Sequence, residues 1–180
     1  MLRRRRPPPD PLAHVDPAAV SPRFAPSVAD ALDARRRFAA LLAGVREGPV
    51  RDQLVSAGER LDAGVLAVWD TAARAGEIER TLATLDPDRV VDDYKRARRT
   101  EGDDELEAVL AQRFASVQRL LNALDDTDER LALLDARLGA AVASAAEVAL
   151  GTTGAGALDA ELDGVVGELE SLRAALHELG

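Results

Sequence analysis

The residues in this chain with the greatest capacity for chemistry are a run of acids and two histidines. The acids form the cluster Asp125-Asp126-Thr127-Asp128-Glu129. A cation site needs oxygen ligands that converge on one point, whereas a continuous helix spreads such side chains around its axis. We therefore predict a solvated helix face. The alternative is a kink or a restart of the helix, since Asp128 interrupts an apolar stripe and Asp126 with Glu129 matches a capping box.

The other reactive side chains are far apart in the sequence. The chain has no cysteine, which excludes disulfides, thiolate catalysis and cysteine-bound metals. His14 and His177 lie near opposite termini, so a multi-histidine metal centre would need two chains. The glycine-rich stretch 151–156 lacks the lysine and the preceding strand of a phosphate loop. The sequence predicts no enzymatic activity, no metal and no cofactor.

Two aromatic residues with polar atoms are predicted to pack rather than to bind a ligand. Trp69 lies at the edge of an apolar stripe beside Val68, and Tyr94 follows Val90 and Val91. Aromatic side chains at such positions usually belong to a core or to a seam between helices.

The composition predicts an all-α fold. Ala, Leu, Arg and Glu fill most of the 180 residues, whereas aromatic residues make up 3% and there is a single Ile. Only one of the 23 basic residues is Lys, which is typical of a bacterium with a high-GC genome. We expect an elongated antiparallel helical bundle or coiled-coil hairpin, preceded by a disordered arm.

Residues 1–26 are predicted to be this arm. They contain seven of the nine prolines, and proline removes backbone donors and interrupts helices. The arm would hold Arg3, Arg4, Arg5 and Arg6 away from the body. No apolar run of the kind found in a signal peptide follows these arginines, so we expect a cytoplasmic protein.

Four helices are predicted between residues 27 and 150. Their approximate limits are 27–47, 50–85, 88–99 and 103–149, with turns at Gly48-Pro49, Asp86-Pro87 and Gly102. In the second and fourth helices the apolar residues recur every 3.5 residues on average, which is the coiled-coil period. Residues 151–157 are rich in glycine and are predicted to form a flexible hinge.

The last predicted helix, 158–180, has the most regular apolar pattern. Steps of four and three alternate along the seam Leu158, Leu162, Val165, Leu169, Leu172, Leu176 and Leu179. Such a seam is typical of a helix that binds a partner helix or a second copy of the chain. It is equally typical of a third helix that folds back within one chain, and the two arrangements remain open at this point.

Charge is distributed unevenly along the chain. Residues 1–26 contain five Arg and two Asp, and residues 27–100 contain 13 basic and 13 acidic side chains. Residues 101–180 contain five basic and 17 acidic side chains. Because an acidic half repels phosphate, nucleic-acid binding is disfavoured and would be restricted to the N-terminal arm.

The sequence therefore predicts a non-enzymatic helical scaffold protein, without a small-molecule substrate, that forms a homo-oligomer or binds a partner helix. The alternative is a peripheral protein at the inner face of the cell membrane, with Arg3 to Arg6 on the anionic surface. Four basic residues bind such a surface weakly, so a second signal is required. Oligomerisation is one such signal, and insertion of Leu2, or of Phe24 with Val20, is another.

Overall fold

In the computed structural model, which describes residues 10–99, 104–152 and 154–178, the chain forms five α-helices and one short 3-10 helix. The α-helices are α1 (Ala25–Gly44), α2 (Pro49–Leu85), α3 (Pro87–Ala97), α4 (Asp104–Leu150) and α5 (Ala155–Glu178), and the 3-10 helix is Pro17–Ala19. No residue of these ranges belongs to a strand. The prediction of an all-α fold is confirmed.

The long helices α2 and α4 pack against each other, and α1 and α5 each pack against both of them. Small side chains are common in the buried faces of the central pair, where Ala57, Ala72, Ala75, Ala141 and Ala145 are all buried. Alanine allows two helix axes to approach closely. The short helix α3 packs mainly against α4.

The contacts between α1 and α2 show that these helices are antiparallel. Arg35 of α1 donates through Nε to Asp62 of α2 at 3.0 Å, and further along α1 the ring of Phe38 lies against Gly58. A Cβ atom added at Gly58 would lie 3.2 Å from Cε1 of Phe38, so glycine gives the ring its space. Later residues of α1 therefore face earlier residues of α2.

The connection from α1 to α2 is held by Arg51. Its Nη1 atom donates to the carbonyl oxygens of Leu42 and Val45, both at 2.9 Å. These bonds supply donors at the end of the helix, where intrahelical donors run out, and the Leu42 carbonyl also accepts the backbone N–H of Val45 at 3.2 Å. The helix ends at Gly44, three residues before the predicted limit at 47, because Val45 already has an extended backbone.

Asp86 separates α2 from α3 where the sequence predicts a boundary. Its φ angle is 51°, in the left-handed region, and its Oδ1 atom accepts the backbone N–H of Arg89 at 3.3 Å. Pro87 follows in the first turn of α3, where the missing N–H costs no hydrogen bond.

The predicted hinge between α4 and α5 is shorter than expected. The helix α5 begins at Ala155 instead of residue 158, so residues 151–154 connect it to α4. Gly151 ends α4 with a φ angle of 73°. Gly156 lies inside α5, which is tolerated because glycine within a helix costs only about 1 kcal/mol.

The prediction of a disordered arm over residues 1–26 is wrong for residues 10–24. Four side chains of this stretch are buried in the same core as the helices, namely Leu12, Val15, Val20 and Phe24. The prolines do not prevent this packing, since Pro17 opens the 3-10 helix and Pro26 lies in the first turn of α1. As a result α1 begins at Ala25, two residues before the predicted start at Ser27.

The helix α4 continues through the acidic cluster and does not restart at Asp128. The buried side chain in this turn is Thr127, which is 0% exposed and donates its hydroxyl to the carbonyl oxygen of Ala123 at 2.7 Å. Because the hydroxyl of Thr127 is satisfied in this way, the apolar stripe can pass through Thr127. Asp128 remains half-buried at the edge of the stripe.

Candidate interaction surface

The predicted seam of the last helix lies against the same chain. Six of its side chains are 1–2% exposed, namely Leu158, Leu162, Val165, Leu169, Leu172 and Leu176. They face α2 and α4, and Val165 approaches Gly64 of α2, where an added Cβ atom would lie 3.5 Å from its Cγ1 atom. Leu179 lies outside the described residues. The structure thus fills this seam within one chain.

Ion pairs line both edges of α5. They join Arg60 to Asp159 and Asp163, Arg173 to Asp70, and both Arg130 and Arg137 to Glu168. Because these ion pairs progress in the same direction along both helices, from Arg60 to Asp70 and from Asp159 to Arg173, α5 runs parallel to α2. The connection over residues 151–154 makes it antiparallel to α4. Each exposed pair contributes little energy, but together they favour one register.

The residues predicted to contact a membrane or another polyanion are placed only in part. Arg3, Arg4, Arg5 and Arg6 lie outside the described residues, as does Leu2. Val20 and Phe24, which would have supplied an apolar insertion, are buried in the core. Their insertion into a lipid surface would expose part of that core to solvent.

Residues 10–24, named here the N-terminal segment, run along α2. The ring of His14 meets the ring of Trp69 edge-on, with their centroids 5.3 Å apart. The hydroxyl of Ser21 donates to Glu79 near the end of α2. Trp69 packs against the core, as the sequence predicts, whereas His14 belongs to an ordered segment instead of a disordered arm.

Two carboxylates of the acidic cluster accept hydrogen bonds from an arginine of the same chain. Arg23 donates through Nη2 to Asp125 at 2.7 Å and through Nε to Asp128 at 2.5 Å. The bond to Asp125 and, to a smaller extent, the bond to Asp128 raise the pKa of the Arg23 guanidinium, against the opposing effect of burial. The cluster therefore holds the N-terminal segment on α4, a role that the local sequence does not reveal.

One side of the first turns of α4 is covered by α3. The ring of Tyr94 stacks on the ring of Phe114, with centroids 4.8 Å apart and an interplanar angle of 18°. The guanidinium of Arg98 lies 5.9 Å from the centroid of Tyr94 and 4.0 Å from a carboxylate oxygen of Glu107. Tyr94 thus has the packing role that the sequence predicts.

A different side of the same turns carries large exposed apolar residues. Leu106 is 51% exposed and Val109 is 59% exposed. Leu106 and Leu124 are 18 residues apart, as are Val109 and Thr127, and this spacing equals five helical turns. Leu124 and Thr127 are 1% and 0% exposed. The exposed pair therefore lies on the face of α4 that is buried further along the helix.

This exposure follows from the unequal lengths of the helices. Glu168 of α5 pairs with Arg130 of α4, so Glu178 lies roughly level with residue 120 of α4. The start of α1 lies beside Asp125, because the preceding Arg23 bonds to that residue. Residues 104–116 of α4 therefore extend roughly 20 Å beyond the end of α5 and beyond the start of α1. We name Glu105, Leu106, Val109 and Arg113 the distal face.

Other cavities and clusters of the described residues show little convergent chemistry. A cavity of about 660 Å³ lies at the opposite end of α4, lined mainly by apolar residues, with Arg46 and Glu47 as its charged members. Among the described residues, no three His, Asp or Glu side chains converge closely enough to hold a metal ion. None of the helices in these ranges combines the length and the apolar character that crossing a lipid bilayer requires.

Asp135 of α4 has a raised pKa. Burial raises it most, the charge of Asp30 adds to the effect, and Arg37 opposes it. Because the folded pKa exceeds the unfolded one, stability from this group is present at low pH and is lost as the pH rises through the folded pKa. We expect Asp135→Asn to raise the melting temperature at pH 7 by about 1–3 °C and to give no gain at pH ~3.

The control for this prediction is Glu129→Gln, which removes an exposed carboxylate from the same helix. The chain has a net charge of −9, so the loss of any acid relieves some general repulsion. Thermal unfolding followed by circular dichroism at both pH values compares the variants. An equal rise in the melting temperature of the two variants at pH 7 would contradict a local effect at Asp135.

No family model matches this chain, and neither a curated protein nor a solved structure matches it. The geometry of its own surface is therefore the basis for a functional assignment.

Proposed function

We propose that this chain is a non-enzymatic helical interaction protein that binds another helix through the distal face. The observation that supports this most is the exposure of Leu106 and Val109 on the face of α4 that is buried elsewhere in the fold. A scaffold role is part of the proposal, because the continuous helix α4 joins this face to the body. Coiled-coil packing of α2 and α4, which their 3.5-residue apolar period favours, belongs to the same proposal.

The helix α4 is covered unequally along its length. Burying a leucine or valine side chain fully contributes about 1.5–3 kcal/mol relative to leaving it in water. Leu131 and Leu138 already contribute in this way within the chain, being 1% and 0% exposed. At the distal face a helix supplied from outside would add the same kind of contact to Leu106 and Val109.

The proposal contains no catalytic step. A catalytic site needs polar groups that converge in a pocket, and the distal face is a convex helix surface. The proposal does not include membrane insertion of Val20 and Phe24, because both side chains are buried in the core.

Photo-crosslinking from the distal face tests the proposal. The full-length protein would carry p-benzoylphenylalanine in place of Val109 and would be irradiated in an extract of its own cells. We expect one discrete adduct, because a bound helix would cover this position. The matched control carries the same group in place of Leu133, which is 46% exposed on α4 away from the distal face. No adduct from position 109, or the same adducts from both positions, would contradict the proposal.

A further inference from the structure

We infer that the helix bound at the distal face belongs to a second copy of this chain, with the two α4 helices antiparallel and a two-fold axis near Val109. This inference rests on the proposed function and specifies its partner. It is carried by the order of charged and apolar residues on the distal face and by the distribution of charge over the rest of the molecule.

Along α4, the distal face has an acidic residue first, then two apolar residues, and then a basic residue. Glu105 and Arg113 are both exposed, and each lies four residues from Val109, on the same side of the helix. An antiparallel copy centred on Val109 places Glu105 of each chain opposite Arg113 of the other. A parallel copy would place like charges together, so the pattern favours the antiparallel arrangement.

Glu105 and Arg113 of one chain cannot form an ion pair with each other. They are eight residues apart on a continuous helix, which separates their backbones by about 12 Å. Arg113 makes one long hydrogen bond through Nη2 to the carbonyl oxygen of Leu85, at 3.5 Å, and its side chain remains exposed. The opposite charges of this face are thus arranged for contact with another molecule.

The rest of the molecule opposes other ways of self-association. Residues 120–178 contain three basic and twelve acidic side chains, so two copies placed side by side along this part repel each other. Residues 87–119 contain seven basic and eight acidic side chains. Contact through this end brings two nearly neutral surfaces together. In that contact Val109 of one chain packs against Val109 of the other, with Leu106 beside them.

Sedimentation equilibrium of the full-length protein tests the inference. We expect a reversible monomer–dimer equilibrium with a dissociation constant in the micromolar range, measured from about 1 to about 200 µM protein. Val109→Asp should weaken the dimer at least a hundredfold, because two carboxylates would meet at the two-fold axis. Leu133→Asp, the matched change at an exposed site elsewhere on α4, should leave the dimer unchanged.

Charge exchange tests the antiparallel register. Glu105→Arg and Arg113→Glu should each weaken the dimer about tenfold, since each replaces two attractive pairs by two repulsive ones. The double variant restores opposite charges and should dimerise like the original chain. In a parallel dimer like charges would meet in the original chain and in every one of these variants, so neither single change would weaken it. At protein concentrations low enough for the original chain to be a monomer, circular dichroism of every variant must show the original helix content and melting temperature.

The outcomes separate this inference from the proposed function. A monomer at all concentrations, a dimer that survives Val109→Asp, or a double variant that stays monomeric would overturn the second-copy inference. If the chain is a monomer while position 109 captures a different protein, the proposed function stands and the partner is that protein. If neither a dimer nor an adduct from position 109 forms, the second-copy inference and the proposed function are both wrong.

Discussion

Phe24→Ala is expected to lower the free energy of unfolding by about 3–5 kcal/mol. Phe24 is 0% exposed and lies in the core that the N-terminal segment shares with the helices. Removing its ring loses the transfer free energy of the buried atoms and leaves a cavity. The neighbouring Arg23 guanidinium, 5.5 Å from the ring centroid, also loses its cation–π contact.

Urea unfolding followed by circular dichroism measures this effect. Leu133→Ala is the matched control, because Leu133 is 46% exposed and its truncation should change stability by no more than about 0.5 kcal/mol. A loss for Phe24→Ala as small as that of the control would show that residues 10–24 do not belong to the core. The disordered arm predicted from the sequence would then be correct over its whole length.

Leu169→Ala is expected to cost about 2–5 kcal/mol. Leu169 is 1% exposed in the middle of the α5 seam, where it faces α2 and α4. Its truncation leaves a cavity between three helices whose ends are held by ion pairs and by a short connection. The surrounding side chains can therefore collapse only in part.

The concentration dependence of this loss distinguishes packing within one chain from packing between chains. If α5 folds against its own α2 and α4, the difference between Leu169→Ala and the original protein is the same at low and high protein concentration. A difference that grows with concentration would assign the seam to a second chain. Leu150→Ala serves as the control, since Leu150 is 79% exposed at the end of α4.

Together these variants separate stability from association. Phe24 and Leu169 lie in the core, so their truncation acts on folding. Val109 and Arg113 lie on the surface of a part of α4 that α1 and α5 do not reach, so their substitution acts on binding. The proposed interface can therefore be abolished in a protein that remains folded.

Most helix boundaries could be predicted because they depend on neighbouring residues. Gly48-Pro49 and Asp86-Pro87 interrupt the helix wherever they occur, since proline cannot continue the helix that precedes it. The predicted limits of α1 and α5 were less accurate. The start of α1 depends on how Phe24 packs, and the end of α1 depends on Arg51, which lies in the next helix.

The N-terminal segment shows why composition misled the prediction. Its prolines suggest disorder, yet Leu12, Val15 and Val20 are spaced so that each reaches the core while the prolines lie in turns or in first helical turns. The pairing of Arg23 with Asp125 joins residues 102 positions apart. No local pattern contains such a contact.

The sequence alone determined the all-α fold, since helix propensity and the spacing of apolar residues are local properties. It also determined which face of α5 is apolar and that cysteine chemistry is excluded. Only the tertiary structure decided which of these apolar faces is covered. Coverage depends on the lengths and directions of helices distant in the sequence, so the apolar face of α5 is buried against its own chain whereas the side chains of Leu106 and Val109 are 51% and 59% exposed.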